Sequence, residues 1–189
     1  MSSSLSKTLR LLGQKKNSAL KILDLGVGSG CLLLSLLHEL PYASGIGVDL
    51  SFGALQCAQE NAQNLHLHNR ALFVQGRWGD ALKGPFDIIT SNPPYIQTST
   101  LPFLDQNVIS FDPLLALDGG EDGLNAYRYL LPQVKKYLSP TGHFLLEIGS
   151  GQASCVNALL RHENYSDICL YQDLEHRARV FSCSYSFLF

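Results

Sequence analysis

The sequence of 189 residues is long enough for one domain and too short for two of ordinary size. Hydrophobic residues make up 46% of it and charged residues 16%, which provides a sizeable core and excludes an intrinsically disordered chain. The longest apolar run, 31–37, is far shorter than the roughly 20 residues of a membrane-spanning helix, so a membrane span is excluded. The five cysteines are scattered and never spaced C-x-x-C, so we expect reduced, mostly buried thiols in a cytoplasmic chain, without a disulfide framework or zinc site.

Charge is unevenly distributed along the chain. The formal net charge is −2, but residues 1–21 hold five lysines and arginines and no acid, so the remaining residues carry −7. A body with that charge lacks the basic surface of a nucleic-acid-binding protein, and we expect no direct nucleic-acid partner. We expect residues 1–20 to be a basic leader, with disorder as one option. An organellar import sequence is the less favoured alternative, because little room is left for a cleavable segment before the first strand.

Apolar runs alternate with segments of helical periodicity along the rest of the chain. Strands are predicted at 21–25, 44–50, 71–75, 86–91, 142–148, 167–171 and 179–187. Helices are predicted at 31–40, 52–65 with Ser51 as N-cap, 123–138 with a kink or break at Pro132, and 153–162. This order predicts a single α/β domain at 21–189, a Rossmann-like, doubly wound, seven-stranded, mainly parallel sheet that ends in an antiparallel hairpin. Ligands bind such sheets outside the carboxyl ends of the strands.

Three glycines, Gly26, Gly28 and Gly30, separate the first strand from its helix. Glycine accepts positive φ and has no Cβ, so the backbone can turn sharply and approach a ligand closely at the helix N-terminus. The spacing G-x-G-x-G differs from the dinucleotide pattern G-x-G-x-x-G, which would require glycine where Cys31 stands. The structural alternative for the three glycines is close packing between the strand and the helix.

Asp49 ends the second strand, 23 residues after Gly26. A carboxylate at this place can accept hydrogen bonds from both hydroxyls of a ribose. Together with the glycine turn, the spacing favours an adenosyl cofactor without a pyrophosphate. The alternative for Asp49 is a helix cap, which is a common role for acids that follow strands.

The fourth strand runs directly into the turn Asn92-Pro-Pro-Tyr95. Two prolines lack N–H donors and fix φ, so the turn is stiff, extended and rich in free carbonyl groups. The Asn92 side-chain oxygen and the Pro93 carbonyl can accept the two hydrogens of a planar NH2 group, which favours pyramidal nitrogen as a new bond forms, without a strong base. Tyr95 can stack on the planar group of the substrate. The alternative is a proline turn in which Asn92 is a local cap.

The ordered motifs resemble those of class I S-adenosylmethionine-dependent methyltransferases and, within them, the release factor glutamine methyltransferases of the HemK family. The resemblance is carried by segments 24–30, 47–49, 91–96, 111–117 leading to 119–124, and 145–149. The tetrad N-P-P-Y is shared with adenine-N6 and some ribosomal RNA methyltransferases, whereas the 111–124 stretch is typical of the HemK family. The resemblance implies methyl transfer from S-adenosylmethionine, with S-adenosylhomocysteine as product, to the side-chain amide nitrogen of the glutamine in the Gly-Gly-Gln motif of peptide chain release factors.

The resemblance also implies a role for each matching residue. Asp49 would hold the cofactor's ribose, and Trp78 would lie beside its adenine. The family often has an acid before this aromatic residue, whereas this chain has Arg77, with Asp80 as a candidate replacement. The methionine end of the cofactor would be wrapped by Gly26, Val27, Gly28, Ser29 and Gly30. The cofactor would also contact Asn92, the glutamine would be bound by Asn92, Pro93, Pro94 and Tyr95, and the catalytic residues would be Asn92, Pro93 and Tyr95.

The family has a helical domain ahead of the methyltransferase domain, whereas 23 residues precede Asp24 here. We therefore expect the chain to lack that upstream domain. Two alternatives stay open beside the main interpretation. One is an adenine-N6 or ribosomal RNA methyltransferase, and the other is a truncated, non-catalytic domain that binds S-adenosylmethionine. No metal site is expected, since His66 and His68 have no third ligand nearby in the sequence.

Overall fold

The computed structural model describes residues 18–80, 82–104, 114–173 and 175–185. The strands are β1 (Lys21–Leu25), β2 (Ser44–Asp49), β3 (Ala71–Gln75), β4 (Phe86–Ser91), β5 (Leu138–Glu147), β6 (Ser166–Gln172) and β7 (Ala178–Ser184). The helices are α1 (Cys31–Glu39), α2 (Phe52–Asn64), the short α3 (Leu114–Leu117), α4 (Asn125–Val134) and α5 (Ala153–His162), with a 3-10 helix at Thr98–Phe103.

The strands form one seven-stranded sheet in the order β3-β2-β1-β4-β5-β7-β6. Strands β1 to β5 are parallel to one another, and β7 runs antiparallel to both β5 and β6. The predicted fold, a doubly wound and mainly parallel sheet with a closing antiparallel hairpin, is confirmed. The chain passes from β1 to β2 and β3 on one side and then returns to β4 on the other side of β1. The strand order therefore reverses between β1 and β4, which is where such sheets bind ligands.

Successive residues of the central strands point to opposite faces of the sheet, and both faces are buried. Ile22 of β1 and Ile88 of β4 pack into a core that includes leucines of α1 and α2. The following residues, Leu23 and Ile89, pack into a second core with α4 and α5. All four side chains are fully buried. Because both faces are covered, β1 and β4 form a rigid support for the turns that follow them.

The predicted boundaries differ most from the observed ones between α4 and β5. The helix predicted at 123–138 spans Asn125–Val134 and ends two residues after Pro132, while the strand predicted at 142–148 begins at Leu138. The pairing of β5 with β4 shifts from Phe86↔Leu138 to Ile88↔His143, so the first part of β5 is irregular. Proline and glycine in this part of the sequence favour a loop, which is why the periodicity placed the start of the strand too late.

Several smaller expectations have different outcomes. The expectation of mostly buried thiols is wrong, because Cys31, Cys57, Cys155 and Cys169 are exposed, and Cys183 alone of the five is buried. The exposed cysteines lie on the outer sides of three helices and on the edge strand β6. No helix in the described part of the chain is long and apolar enough to cross a membrane. The predicted leader lies mainly in residues 1–17, and part of the 111–117 motif in residues 105–113, which are outside the described residues.

Candidate active site

The turns that follow β1 and β4 start side by side at the carboxyl edge of the sheet. Leu25, the last residue of β1, pairs with Ser91, the last residue of β4. The Ser91 hydroxyl donates a hydrogen bond of 2.8 Å to the Leu25 carbonyl oxygen, and Ser91 is 2% exposed. The two turns therefore begin next to each other, at a buried pair of hydrogen-bonded residues.

The glycine turn folds back onto the end of β2. The backbone N–H groups of Gly26 and Val27 donate to the Val48 carbonyl oxygen at 2.9 and 3.0 Å. Gly26 has φ +77° and Gly28 has φ +55°, a region that glycine enters without steric cost. With no Cβ at Gly26 and Gly28, the peptide backbone of the turn is accessible to a ligand.

The first and last glycines of the pattern have different surroundings from the middle one. A Cβ added at Gly28 would have no atom within 4 Å, so Gly28 faces open space. A Cβ added at Gly30 would lie 3.1 Å from Leu34 Cδ1 and 3.2 Å from Ala58 Cβ, so this glycine permits close packing of α1 on α2. At Gly26 the added atom would lie 3.7 Å from the Trp78 ring. Gly26 and Gly28 thus serve the open side of the turn, whereas Gly30 serves packing, the structural alternative raised by the sequence.

The carboxylate of Asp49 joins the glycine turn to the start of α2. One oxygen accepts a hydrogen bond of 2.8 Å from the Gly28 N–H, and the other accepts one of 2.9 Å from the Ser51 N–H. Ser51, as predicted, is the N-cap of α2, since its hydroxyl accepts from the Ala54 N–H. Asp49 is not itself the helix cap, and each of its oxygens keeps a lone pair for a further donor.

Trp78 is held in the left-handed region, with φ +54°. The residues around it turn toward α4: the Arg77 guanidinium lies 4.5 Å from the centre of the Tyr129 ring, and the Tyr129 hydroxyl donates to Asp80 at 3.3 Å. Arg77 and Asp80 are therefore engaged with Tyr129, while Trp78 faces the glycine turn.

The Asn92-Pro-Pro-Tyr95 turn combines an exposed amide with a buried proline. Asn92 is exposed and Pro93 is buried, while Pro94 and Tyr95 are half-buried. After the turn, the Ile96 N–H donates to the Leu117 carbonyl at 3.0 Å, and its own carbonyl accepts from the Gly119 N–H at 2.8 Å. The segment that follows the turn is thereby paired with the segment 117–119, part of the stretch typical of the HemK family.

A residue that the sequence analysis missed lies behind this turn. The Gln152 side-chain amide donates to the carbonyl oxygens of Tyr95 and Gly123, both at 3.1 Å. Its oxygen accepts from the Gly149 N–H and the Tyr127 hydroxyl, both at 3.0 Å. The only signal in the sequence is a glutamine where a helix N-cap is expected, which does not by itself indicate a contact with a distant turn.

The two turns, Asp49 and Trp78 border a single cleft of about 690 Å³, a size typical of small-molecule sites. Among the predicted site residues, the cleft is lined by Gly26, Gly28, Asp49, Trp78, Asn92, Pro93, Pro94 and Tyr95. Val27, Ser29 and Gly30 are not among its lining residues. Residues that were not predicted complete the wall: Val48, Leu50, Ser51, Gly76, Ile96, Ala116 and Leu117. The structure therefore brings five of the eight residues predicted to bind the cofactor, and all four predicted to bind the substrate, to the wall of one cleft.

A second cleft, of about 460 Å³, lies at the opposite, amino edge of the sheet. None of the predicted site residues lines it. Its Arg70 side chain donates to the carbonyl oxygens of Leu37, Leu40 and Ala43, which closes the end of α1. His68 also borders this cleft, but no group of three or more metal-ligating side chains was found in the described ranges. The arginine in this cleft is thus already satisfied by the protein.

Asp24 and Tyr95, both near the candidate active site, have shifted pKa values. Burial raises the pKa of Asp24 to about 7, although the hydrogen bond of 2.8 Å from the Thr90 hydroxyl opposes the shift. Burial and, to a smaller extent, the charge of Glu147 raise the pKa of Tyr95. This shift moves the pKa of Tyr95 further above physiological pH, where a tyrosine is already a neutral phenol. Among the cleft-lining residues that belong to the described part of the chain, Asp49 is the single carboxylic acid.

The residues present fit an adenosyl cofactor. At Gly28 there is open space, which a Cβ would begin to fill. The carboxylate of Asp49 can accept further hydrogen bonds from hydroxyl groups. Trp78 lines the cleft with an aromatic ring. The Asn92 and Pro93 side of the cleft offers further carbonyl acceptors. The arrangement can hold a nucleoside on one side and present acceptors to an NH2 group on the other.

Comparison with known proteins agrees with the fold and the motifs. A sequence model described as "Methyltransferase domain" matches residues 16–177. The release factor glutamine methyltransferase of Rhodospirillum rubrum is 49% identical over 152 residues, which cover 80% of this chain and 46% of that protein. The release factor glutamine methyltransferase of Caulobacter vibrioides is 45% identical over 166 residues, 87% of this chain and 57% of that protein. The chain thus spans about half the length of these relatives.

Solved structures share the fold at low sequence identity. The ribosomal protein L11 methylase of Lactobacillus delbrueckii subsp. bulgaricus superposes with a TM-score of 0.65 and 19% identity, over 99% of this chain and 81% of that one. At this identity the similarity supports the fold alone. The similarity in sequence to release factor glutamine methyltransferases, by contrast, confirms the resemblance found in the motifs.

Proposed function

The chain belongs to the methyltransferase domain family, and from this premise we propose that it transfers a methyl group from S-adenosylmethionine to a glutamine of peptide chain release factors. The acceptor is the side-chain amide nitrogen of the glutamine in the Gly-Gly-Gln motif. The observation that carries the proposal is the single cleft shared by the glycine turn, Asp49, Trp78 and the turn 92–95. Direct transfer between two bound molecules requires that both be held next to each other, which such a cleft supports.

S-adenosylmethionine supplies, when bound, a methyl group on a positively charged sulfonium centre. Asp49 accepts hydrogen bonds from the ribose hydroxyls with the lone pairs that Gly28 and Ser51 leave free. Trp78 provides an aromatic face for the adenine. Gly26 and Gly28 present their backbone to the methionine end. We assign to Val27, Ser29 and Gly30 the shaping of the turn and not a contact with the ligand, since they do not line the cleft.

The turn 92–95 holds the glutamine amide. The Asn92 side-chain oxygen and the Pro93 carbonyl accept its two N–H hydrogens, and the exposed position of Asn92 leaves that side chain accessible to a protein substrate. An amide nitrogen is a weak nucleophile because its lone pair is delocalised. Acceptors on both hydrogens stabilise the pyramidal nitrogen that develops as it reacts, which lowers the barrier. Tyr95 packs against the planar amide.

No general base is required beside the turn. A tyrosine is a neutral phenol at physiological pH, and burial moves the pKa of Tyr95 further upward, so it is not poised to remove a proton. Asp49, the one acid among the cleft-lining residues of the described ranges, accepts hydrogen bonds from backbone N–H groups on the cofactor side. The proton leaves the nitrogen for water after the new bond forms. Positioning and the two acceptors therefore account for the proposed rate enhancement.

The proposal is tested by mass spectrometry of a purified release factor after incubation with the chain and S-adenosylmethionine. We expect a gain of one methyl group on the glutamine of the Gly-Gly-Gln motif. Asn92→Ala should reduce the rate by about 100-fold or more, as for removal of one charge-stabilising contact in a transition state. Asn92→Asp keeps an acceptor oxygen and should retain more activity than Asn92→Ala. Binding of S-adenosylhomocysteine should change little in either variant.

Other outcomes contradict the proposal and identify the alternatives. Transfer of a labelled methyl group to RNA or DNA, with none to the release factor, would indicate a nucleic-acid methyltransferase. Binding of S-adenosylmethionine without transfer to any of these substrates would indicate a non-catalytic domain. Undiminished transfer by Asn92→Ala would leave the activity in place and remove the role assigned to Asn92.

A further inference from the structure

We propose that Gln152 is a positioning residue that anchors the substrate-binding turn 92–95 from behind. The inference rests on the proposed function, since the turn matters only if it binds the acceptor amide. Gln152 is half-buried and does not line the cleft. It acts on the substrate only through the backbone of the turn.

All four hydrogen-bonding positions of the Gln152 amide are used. Its nitrogen donates to the Tyr95 and Gly123 carbonyls, both at 3.1 Å. Its oxygen accepts from the Gly149 N–H and the Tyr127 hydroxyl, both at 3.0 Å. A primary amide has two donors and two acceptor lone pairs, so a glutamine is matched to these partners and a carboxylate is not.

Three glycines bring the backbone of the turn close enough for these bonds. A Cβ added at Gly123 would lie 2.6 Å from the Tyr95 carbonyl oxygen and 2.7 Å from Gln152 Nε2. A Cβ at Gly149 would lie 2.7 Å from Gln152 Oε1, and one at Gly119 would lie 2.8 Å from Tyr95 Cα. A Cβ at Gly119 or Gly123 would meet backbone atoms of Tyr95, and one at Gly149 would displace the side chains of Gln152 and Tyr95. The segments 119–123 and 149–152 thus pack closely against the side of the turn that faces away from the cleft.

The prolines carry the effect of this anchor to the substrate side. Pro93 and Pro94 fix two successive φ angles between Asn92 and Tyr95, so few torsions are left to absorb a movement of one end before it reaches the other. The start of the turn is fixed by the hydrogen bond from Ser91 to Leu25, and its end by Gln152. A catalytic acceptor that is displaced by about 1 Å can lose on the order of 100-fold in rate. The anchor therefore sets the position of the Asn92 and Pro93 oxygens.

Capping of helix α5 does not explain why a glutamine stands at position 152. Gln152 occupies the N-cap position of α5, yet its side chain makes no capping hydrogen bond to that helix. Serine, threonine, aspartate and asparagine are the usual N-cap residues, and glutamine is not among them. The side chain is directed away from its own helix and toward the turn that precedes it by 57 positions in sequence.

The test compares Gln152→Glu with Gln63→Glu. Glutamate at position 152 keeps the size of the side chain but places an oxygen against the Tyr95 and Gly123 carbonyls, where a donor is needed. Gln63, on the exposed surface of α2, receives the same change in charge and serves as the control. Tyr127→Phe removes one donor to the Gln152 oxygen and leaves both bonds of its nitrogen, so a smaller effect is expected.

Two measurements separate positioning from loss of fold. In hydrogen exchange, the amides of Ile96 and Gly119, which pair the turn's continuation with 117–119, should exchange about tenfold faster in Gln152→Glu, with β1 unchanged. Transfer to a Gly-Gly-Gln peptide should fall by about 10- to 100-fold in kcat/KM. Affinity for S-adenosylhomocysteine should stay within about twofold of the unmodified chain, as it should in Gln63→Glu.

Each remaining outcome overturns the inference. Unchanged exchange at Ile96 and Gly119 would show that Gln152 does not anchor the turn. Faster exchange with unchanged kcat/KM would show that the anchor does not affect the acceptor oxygens. A parallel loss of cofactor affinity and of β1 protection would show a general structural role. If the unmodified chain transfers no methyl group, the proposed function fails, and the exchange measurement still decides whether Gln152 holds the turn.

Discussion

The Asp49 carboxylate accepts a hydrogen bond of 2.8 Å from the backbone N–H of Gly28, two elements away in the chain. The acid that ends β2 thereby fixes the glycine turn that follows β1. Its second oxygen fixes the Ser51 N–H at the start of α2. The position proposed to bind a ribose is thus also the position that shapes the turn proposed to bind the rest of the cofactor.

The first prediction concerns Asp49→Asn. The asparagine side-chain oxygen can accept from one of the two backbone N–H groups. Its NH2 group would face the other N–H, and two donors repel each other. Hydrogen bonds to charged groups contribute about 1.5–3 kcal/mol, so we expect the affinity for S-adenosylhomocysteine to fall by about 10-fold or more. Isothermal titration calorimetry measures the change.

Asp87→Asn is the matched control for this substitution. Asp87 lies in β4 at the opposite edge of the sheet and also accepts a hydrogen bond from a backbone N–H, that of Lys21, at 2.9 Å. We expect its affinity to remain within about twofold of the unmodified chain. Equal affinities in both variants would contradict the role assigned to Asp49.

The sequence was sufficient to predict which residues at the ends of strands lie at the candidate site. Gly26, Asp49 and Asn92 each come directly after an apolar run, and the carboxyl ends of parallel strands meet at one edge of a sheet. Their common location in one cleft follows from strand order, which the alternation of strands and helices indicates. Patterns of this kind can be recognised in the sequence because they depend on a few neighbouring residues.

Contacts between distant segments were not predictable in the same way. The contact of Gln152 with Tyr95 joins residues 57 positions apart, and nothing local to either one indicates it. The engagement of Arg77 and Asp80 with Tyr129 likewise depends on how α4 packs over the sheet. The residues at the outer wall of the cleft, such as Ala116 and Leu117, come from a segment whose position is set by its pairing with Ile96.

The second prediction separates two glycines of the same turn. Gly28→Ala places a methyl group in the open space of the cleft and should weaken S-adenosylhomocysteine binding. Gly30→Ala places it against Leu34 and Ala58, and overpacking of this kind costs about 1–3 kcal/mol of folding free energy. Both residues have positive φ, so each variant also loses about 1–2 kcal/mol through the backbone.

Urea unfolding and calorimetry distinguish the two effects. We expect Gly30→Ala to have the lower free energy of unfolding and Gly28→Ala the lower affinity for S-adenosylhomocysteine. The reverse order in both measurements would contradict the assignment of Gly30 to packing and of Gly28 to the ligand.

The third prediction uses Trp78, the one tryptophan in the sequence. Because Trp78 lines the cleft, its fluorescence should change when S-adenosylhomocysteine binds, and the titration should give the same dissociation constant as calorimetry. Trp78→Phe should weaken binding by about 0.5–1.5 kcal/mol, the range of an aromatic stacking contact. Calorimetric binding without any change in fluorescence would place the adenine away from Trp78.

The fourth prediction concerns the pH dependence of stability, which follows from the buried Asp24. Burial raises the pKa of this carboxyl to about 7 in the folded chain, from the model-peptide value of 3.8. Between these two values the folded state binds more protons than the unfolded state. The free energy of unfolding must therefore fall as pH rises through this window, by up to about 1.4 kcal/mol per pH unit. Below the window Asp24 is neutral in both states and contributes no slope.

Asp24→Asn removes this ionisation while keeping an oxygen that accepts from the Thr90 hydroxyl, a bond of 2.8 Å in the present structure. Urea unfolding of both proteins at several pH values between the two pKa values measures the effect. We expect the variant to be progressively more stable than the unmodified chain as pH rises toward neutrality. Parallel stability curves would mean that Asp24 titrates alike in both states, and that the carboxyl beneath the glycine turn is already charged at acidic pH. A slope confined to the unmodified chain would instead show that the acid next to the glycine turn stays neutral over most of this range, as its burial requires.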